Sequence, residues 1–358
     1  MPDGRYAFED WIDDDGIDPG PIPIRVTITI AGDKLTADFT GTAPQVRGAI
    51  NSPLPFTKSA VYACVRHLIG GDPPNNEGYF RPIEVVAPAA TIVNPVMPAP
   101  VAARGLTGFR VANALFGALA KVAPNCVFAC EMGGDTGISF GGYDVERRPF
   151  VFLEFLFGSW GGRPTKDGID AAASAVVNFS NNPIEIVESE YPLMIERYGY
   201  VPDSGGAGKF RGGLALVRQY RFLAEEGVLQ LRTDRRAHVP YGLQGGRDGT
   251  PSMNLLCCDG ETRELPAKCR LTIRRGDAFQ HVLGGAGGWG DPAERDPARV
   301  AYDVAEGKLS AEHAHREYGI SVDSVTGELL TRSMQTASDY VLNQAAGGPG
   351  SQNALPEG

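Results

Sequence analysis

Residues 22–30, Ile-Pro-Ile-Arg-Val-Thr-Ile-Thr-Ile, alternate apolar with polar side chains, and after Ala31-Gly32-Asp33 the sequence resumes with Leu35-Thr36-Ala37-Asp38-Phe39. A period of two on either side of Gly-Asp turn chemistry predicts a β-hairpin. The pattern then changes to helical spacing over 58–68 and 105–122, the second carrying Val111, Leu115 and Leu119 on one face with Pro124 just past its end. Residues 137–142 read as a Gly-rich strand, and the run 149–157, aromatic and aliphatic around Glu154, reads as a buried strand. Alternation returns in 215–222, 228–232 and 269–274, which predicts an antiparallel sheet or barrel over 185–290. Residues 296–318 read as two short helices, the second started by Ser310 as an N-cap. The expected fold class is α+β: a hairpin and helices first, a β-rich sheet or barrel second, short C-terminal helices last. Beyond Val322 periodicity fades, and Ala345-Ala346-Gly347-Gly348-Pro349-Gly350-Ser351 has linker composition, so 323–358 is expected to be a flexible tail or to dock on a partner. The expected boundaries are 1–130, 131–295, 296–322 and 323–358.

Charge narrows the possible partners. The 33 basic and 43 acidic residues give a net charge of −10, which argues against nucleic acid or an anionic membrane. No run approaches the ~20 apolar residues of a membrane span, and Met1-Pro2-Asp3-Gly4-Arg5 does not begin a secretory signal. Six cysteines without a regular ladder fit a reducing cytoplasm. Cys126 and Cys130 are spaced CxxxC, Cys257 and Cys258 are adjacent, and His67, His238, His281, His313 and His315 are scattered, so no metal site is expected within this chain.

The densest signal is Gly205-Gly206-Ala207-Gly208-Lys209-Phe210-Arg211-Gly212-Gly213, echoed by Gly284-Gly285-Ala286-Gly287-Gly288-Trp289-Gly290. Two readings stand. These are tight turns with solvated charges, or a closely approachable backbone beside which Lys209 and Arg211 hold an anion. Neither segment is a nucleotide motif, since Phe210 stands where a P-loop needs Ser or Thr and no leading Gly is in register. Glu188 and Glu190 have the spacing of one strand face.

Those Gly-rich segments belong to a longer series. Pro2-Asp3-Gly4-Arg5-Tyr6, Asp13-Asp14-Asp15-Gly16, Asp38-Phe39-Thr40-Gly41-Thr42, Leu106-Thr107-Gly108-Phe109-Arg110, Gly158-Ser159-Trp160-Gly161-Gly162-Arg163-Pro164, Asp234-Arg235-Arg236 and Pro240-Tyr241-Gly242-Leu243-Gln244-Gly245-Gly246 follow in order over 1 to about 322. Together they resemble the hydantoinase B/oxoprolinase family, the B-type subunits of N-methylhydantoinases, 5-oxoprolinases and acetone carboxylases. The resemblance covers only the later half of the family pattern. It implies a partner chain for the N-terminal half, which carries the His and Asp residues of a divalent-metal site, Zn or Mn; a remnant or a truncation is the other reading. It also implies an A-type, actin-like ATPase subunit that holds ATP and Mg.

Such members open a lactam or hydantoin ring, or carboxylate a ketone, after ATP activates one reactant. A phosphorylated intermediate needs cations and acids close to the reacting carbon. On that basis Glu131, Asp135 and Arg163 are candidate catalytic groups, and Lys209, Arg211, Arg235 and Arg236 are candidate substrate or phosphate binders. The expected function is a subunit of an ATP-dependent cyclic-amide hydrolase. A ketone carboxylase subunit is the alternative, and a non-catalytic assembly subunit is a third reading.

Overall fold

The computed structural model describes residues 1–134 and 136–332, which form two compact units, Met1–Arg295 and the part of the second that begins at Asp296. The chain opens with β1 (Gly4–Ile12), β2 (Ile22–Ala31) and β3 (Lys34–Asp38). The expected hairpin is present, with Ile28 opposite Ala37. β1, unmarked by periodicity in the sequence, lies antiparallel to β2 along its whole length. Helices α1 (Leu54–Arg66) and α2 (Glu77–Phe80) follow, and then β4 (Ile83–Val86) joins β3 in parallel, completing a four-stranded sheet in the order β1-β2-β3-β4.

One face of that sheet is covered by α3 (Arg104–Val122), whose residues are buried from Leu106 to Val122 with the exception of Lys121. A helix apolar on nearly all sides belongs inside a core. Gly108 and Gly117 let Phe56 and Phe8 lie against its backbone, since a Cβ would fall 1.8 Å and 2.5 Å from their rings. Ile24, Ile28, Phe39, Val111 and Leu115 belong to this first core.

The second core is sheet on sheet. β5 (Gly137–Tyr143), β6 (Pro149–Phe155), α4 (Ile184–Glu190), β7 (Leu193–Val201), β8 (Ala215–Phe222) and β9 (Glu226–Arg232) lead into β10 (Met253–Cys258), β11 (Glu261–Glu264), β12 (Lys268–Arg274) and β13 (Ala278–Val282). These make a four-stranded sheet β12-β9-β5-β6 and a five-stranded sheet β11-β10-β13-β8-β7. All their pairings are antiparallel, and Phe140, Phe152, Tyr220, Phe222 and Phe279 form the core. Two open sheets, not a closed barrel, are therefore the outcome for 185–290.

Two expectations need correction. The run 149–157 is not a buried strand: β6 is an edge strand, and Val151, Leu153 and Phe155 face outward while Phe152 and Glu154 are buried. Glu188 and Glu190 are not strand neighbours but lie on α4. Pro183 precedes its first turn, Glu185 complements that turn's positive end, and Val187 is the residue it buries.

In the second unit, α5 (Pro297–Ala305) and α6 (Ala311–Tyr318) match the two expected helices, with Ser310 Oγ accepting the His313 N–H at 3.1 Å. Regular structure continues past Val322, because β14 (Ile320–Val322) pairs with β15 (Leu329–Arg332). The remainder of the expected tail, 333–358, lies outside the described residues. Among the described residues no helix is long and apolar enough to cross a membrane.

Candidate functional site

The N-terminus of α3 meets the open end of the β5–β6 hairpin, opposite its turn, at a cavity of about 260 Å³, lined by Phe56, Arg104, Phe109, Thr136, Phe155, Phe157, Val177, Phe179 and Arg232 among others. Its walls are aromatic and aliphatic, with Arg104 and Arg232 as the cationic groups. The Arg104 guanidinium lies 6.0 Å from the Phe56 ring centroid. An apolar recess with a few convergent polar groups is the usual form of a small-molecule site.

Two buried polar systems hold its walls. Thr136 Oγ1 is 3.2 Å from His281 Nε2, and His281 Nδ1 is 2.7 Å from Asn254 Oδ1. The Asn254 amide nitrogen donates to Thr233 Oγ1 and the Pro266 carbonyl, so its oxygen must accept from His281 Nδ1–H, and Nε2 is left to accept from Thr136. Burial lowers the His281 pKa to about 3, so the ring is neutral and its tautomer fixed. Glu131, fully buried, accepts from Ser174 Oγ and from the Ala175 N–H at 2.9 Å, two residues before the wall residue Val177. Burial raises its pKa to about 7, against the opposing pull of those two hydrogen bonds.

A third network ties the two cores of the first unit together. Arg235 is bidentate to Asp10 at 3.0 Å on both oxygens and donates to Cys130 Sγ at 2.9 Å. Arg110 of α3 reaches Asp234 at 2.6 Å and Asp10 at 3.6 Å, while Lys268 Nζ is 3.4 Å from Asp234. Asp13 accepts the Arg236 N–H at 2.7 Å and lies 2.9 Å from His238 Nδ1. Arg236 also donates to the Leu265 carbonyl and pairs with Glu264.

The Gly-rich segments form a fourth system, in which the expected close approach of the backbone is present and is made to other Gly-rich backbone. Residues 158–162, 204–213, 241–249 and 284–290 run side by side, with Gly206 N–H bonded to the Ala286 carbonyl, Gly162 N–H to Gly287 and Gly288 N–H to Arg247, each at 2.8 Å. A Cβ at Gly285 would lie 1.7 Å from the Ser204 oxygen, and one at Gly212 1.9 Å from the Ala286 oxygen. Glycine is required here for backbone-to-backbone contact, and in the two Gly-rich stretches only Gly290 has a positive φ.

The charges beside these segments are engaged. Arg211 pairs with Asp170 at 3.0 Å, and Lys209 pairs at the surface with Glu294 at 2.9 Å. Asp167 binds Arg295 through both oxygens and accepts the Arg211 N–H. Although burial raises Asp167, these partners hold its carboxyl below the usual range. The Asp167 carbonyl in turn receives Arg163 at 2.9 and 2.6 Å.

The candidate residues are therefore distributed. Glu131 sits behind the groove wall, Arg163 and Arg211 share the Asp167 cluster, Arg235 and Arg236 belong to the network at Asp10 and Asp13, and Asp135 lies outside the described residues. Sequence reasoning missed Arg104, Arg232 and the Thr136–His281–Asn254 relay. It also passed over Arg110, a charge within an otherwise apolar helical pattern, which is itself a signal of a buried partner.

Residues 1–292 match the family model of hydantoinase B/oxoprolinase. A protein of Pseudomonas sp. (strain NS671) named as the B-type subunit of a D-/L-hydantoinase is 38% identical over 337 residues, covering 90% of this chain and 56% of that protein. The crystal structure of an ATP-dependent caprolactamase from Pseudomonas jessenii superposes with a TM-score of 0.80 at 28% identity, over 90% of this chain and 58% of that one. A nucleotide-free acetone carboxylase shares the fold, with a TM-score of 0.84 at 18% identity over 98% of this chain and 54% of that one. The chain spans about half the length of the curated relatives it matches, and it corresponds to their C-terminal part.

Proposed function

We infer that this chain, which belongs to the hydantoinase B/oxoprolinase family, serves as the C-terminal part of a B-type subunit in an ATP-dependent hydrolase of cyclic amides. The observation that carries the reading is the 38% identity to a hydantoinase B-type chain sustained over 90% of this one, with the caprolactamase structure in support. In this reading the groove at the start of α3 takes the ring. Phe109 and Phe157 contact its apolar edge, and Arg104 and Arg232 balance the charge that builds on oxygen or on a transferred phosphoryl group. Glu131 and the His281 relay are positioning groups. They hold the Val177 and Thr136 walls in place and keep water out of the recess.

ATP and Mg are assigned to an A-type, actin-like partner. The divalent metal, Zn or Mn, is assigned to the part of the subunit that corresponds to the N-terminal half of the relatives. Glu131 and Arg163 remain candidates for groups that act through this geometry. A ketone carboxylase subunit is the second reading; it is favoured by the acetone carboxylase fold match, which at 18% identity speaks for the fold alone.

The test is ATP-coupled ring opening by the complex purified through a tag on this chain. Arg104→Ala and Arg232→Ala should each lower kcat/KM by about tenfold or more, as loss of a charge-stabilising group does. Lys209→Ala, at the surface, should leave it unchanged. Wild-type kcat/KM in both arginine variants would remove the groove from the mechanism.

A further inference from the structure

Residues 174–182 carry two of the groove's walls, Val177 and Phe179, with little backbone support of their own. Among the described residues, the backbone–backbone hydrogen bond of this segment is a turn from the Val177 N–H to the Ser174 carbonyl. Side chains hold it instead, at both ends. At its start Ser174 and Ala175 are fixed by the Glu131 carboxylate. At its finish the Asn181 amide clasps the backbone of Phe157, accepting from its N–H at 2.8 Å and donating to its carbonyl at 3.3 Å, and donates to the Tyr198 hydroxyl at 2.8 Å. Asn182 is gripped by a buried ion pair. Its N–H donates to Glu154 of β6 at 3.0 Å, and its carbonyl accepts from Arg218 of β8 at 3.0 Å. Glu154 and Arg218 are bonded to each other at 2.9 Å and are both excluded from solvent; Tyr220 donates to the second Glu154 oxygen, and the Arg218 guanidinium lies 4.6 Å from the Tyr198 ring centroid.

Between the two anchors runs a short strap, and Phe179 is its large side chain. Its ring stacks on Phe157, with centroids 5.2 Å apart and planes at 28°, and meets the edge of Phe155 at 6.5 Å. It nevertheless stays 59% exposed, so the ring is seated on the groove wall while much of its surface is left for another apolar group. We propose that Phe179 is a specificity-determining residue of the groove: its ring receives the apolar substituent of a cyclic amide, and Asn181 with the Glu154–Arg218 pair are the positioning residues that hold it there. This deepens the reading of the groove as the ring-binding site and rests on it. An ion pair taken out of water gains little net stability over apolar side chains of the same volume. What this one adds is geometry, because it fixes both backbone polar groups of Asn182, three residues from Phe179. The cations Arg104 and Arg232 serve the polar side of the ligand, which leaves the aromatic wall to discriminate by apolar bulk.

The experiment compares kcat/KM of the complex purified through a tag on this chain for two cyclic amides of the ring type that it opens, one unsubstituted and one bearing a benzyl group. The ratio of the two does not depend on how much of a variant is folded, so a merely structural role would not move it. Wild type is expected to prefer the benzyl compound. Phe179→Ala, at an exposed position, should lower that preference about tenfold, within the range that an apolar contact contributes to discrimination, and Phe179→Leu should restore part of it. Asn181→Ala and Glu154→Gln should lower it about threefold or more in the same direction, and Asn181→Ala carries the test of the anchor should Glu154→Gln fail to fold. An unchanged or increased ratio in Phe179→Ala, or a wild-type preference for the unsubstituted ring, overturns the proposal while the ring-opening function stands. A ratio that moves in Phe179→Ala but in neither anchor variant overturns the positioning role of Asn181 and Glu154–Arg218. A wild-type complex that opens no cyclic amide removes the proposed function, and this inference with it.

Discussion

With its carboxylate sealed behind the groove wall, Glu131 holds its proton up to about pH 7, whereas in the unfolded chain it would lose it near 4.5. The folded state therefore binds the extra proton between those values. This stabilisation is complete below about 4.5 and is lost as pH rises through about 7, an effect of ~3 kcal/mol at most. Glu131→Gln keeps an acceptor for Ala175 and a donor for Ser174 without a charge. Chemical denaturation should show the variant gaining on wild type by ~1–3 kcal/mol between pH 5 and pH 8; a constant difference across that range would show that Glu131 does not titrate there.

His281 acts in the opposite sense, since the unfolded ring takes a proton near 6.5 and the folded ring only near 3. It destabilises the fold progressively as pH falls through that window. The buried ions can be separated from the surface ones in the same assay. Arg235→Met leaves Asp10 short of a partner inside the protein and should cost ~3–5 kcal/mol, whereas Lys209→Ala should cost less than ~1 kcal/mol. Equal losses would contradict the assignment of Arg235 to the structural network.

At the level of elements, what could be read in the sequence was what local pattern decides. The 22–39 hairpin shows itself because one face is core and the other is solvent, and α3 because apolar residues recur on a helical period. β6 misled because a mostly apolar run does not tell a strand buried on both faces from one buried on a single face: Phe152 and Glu154 are buried, while the equally apolar Val151, Leu153 and Phe155 stay exposed. α4 misled because Ile184, Ile186, Glu188 and Glu190 repeat every second residue on a seven-residue helix too short to show its own period.

The Gly-rich segments were recognisable as special but not in kind, because backbone contact between segments 80 residues apart leaves no periodic trace in either. Their requirement can be measured directly. Gly285→Ala places a Cβ on the Ser204 carbonyl and should cost several kcal/mol, or prevent folding, while Gly199→Ala on β7, with nothing within 4 Å, should shift stability by ~1 kcal/mol or less. Similar melting temperatures for the two variants would mean that the Gly-rich packing is loose.

At the scale of the whole molecule, the first unit joins a sheet-and-helix core to a two-sheet core through buried Asp10, Arg110, Asp234 and Arg235, and the groove lies where α3 meets the β5–β6 hairpin. The family was legible because ordered motifs run through most of the chain. The groove was not, since Arg104 and Arg232 are 128 residues apart and come together only through the fold.

The most direct test is a substrate comparison on the complex purified through this chain, following ADP and organic product with hydantoins, 5-oxoproline and caprolactam on one side and ketones with bicarbonate on the other. The account predicts ring-opened acid formed with ADP from at least one cyclic amide, and no bicarbonate dependence. Bicarbonate-dependent carboxylation of a ketone, or an intact complex that turns over none of the cyclic amides, would contradict it.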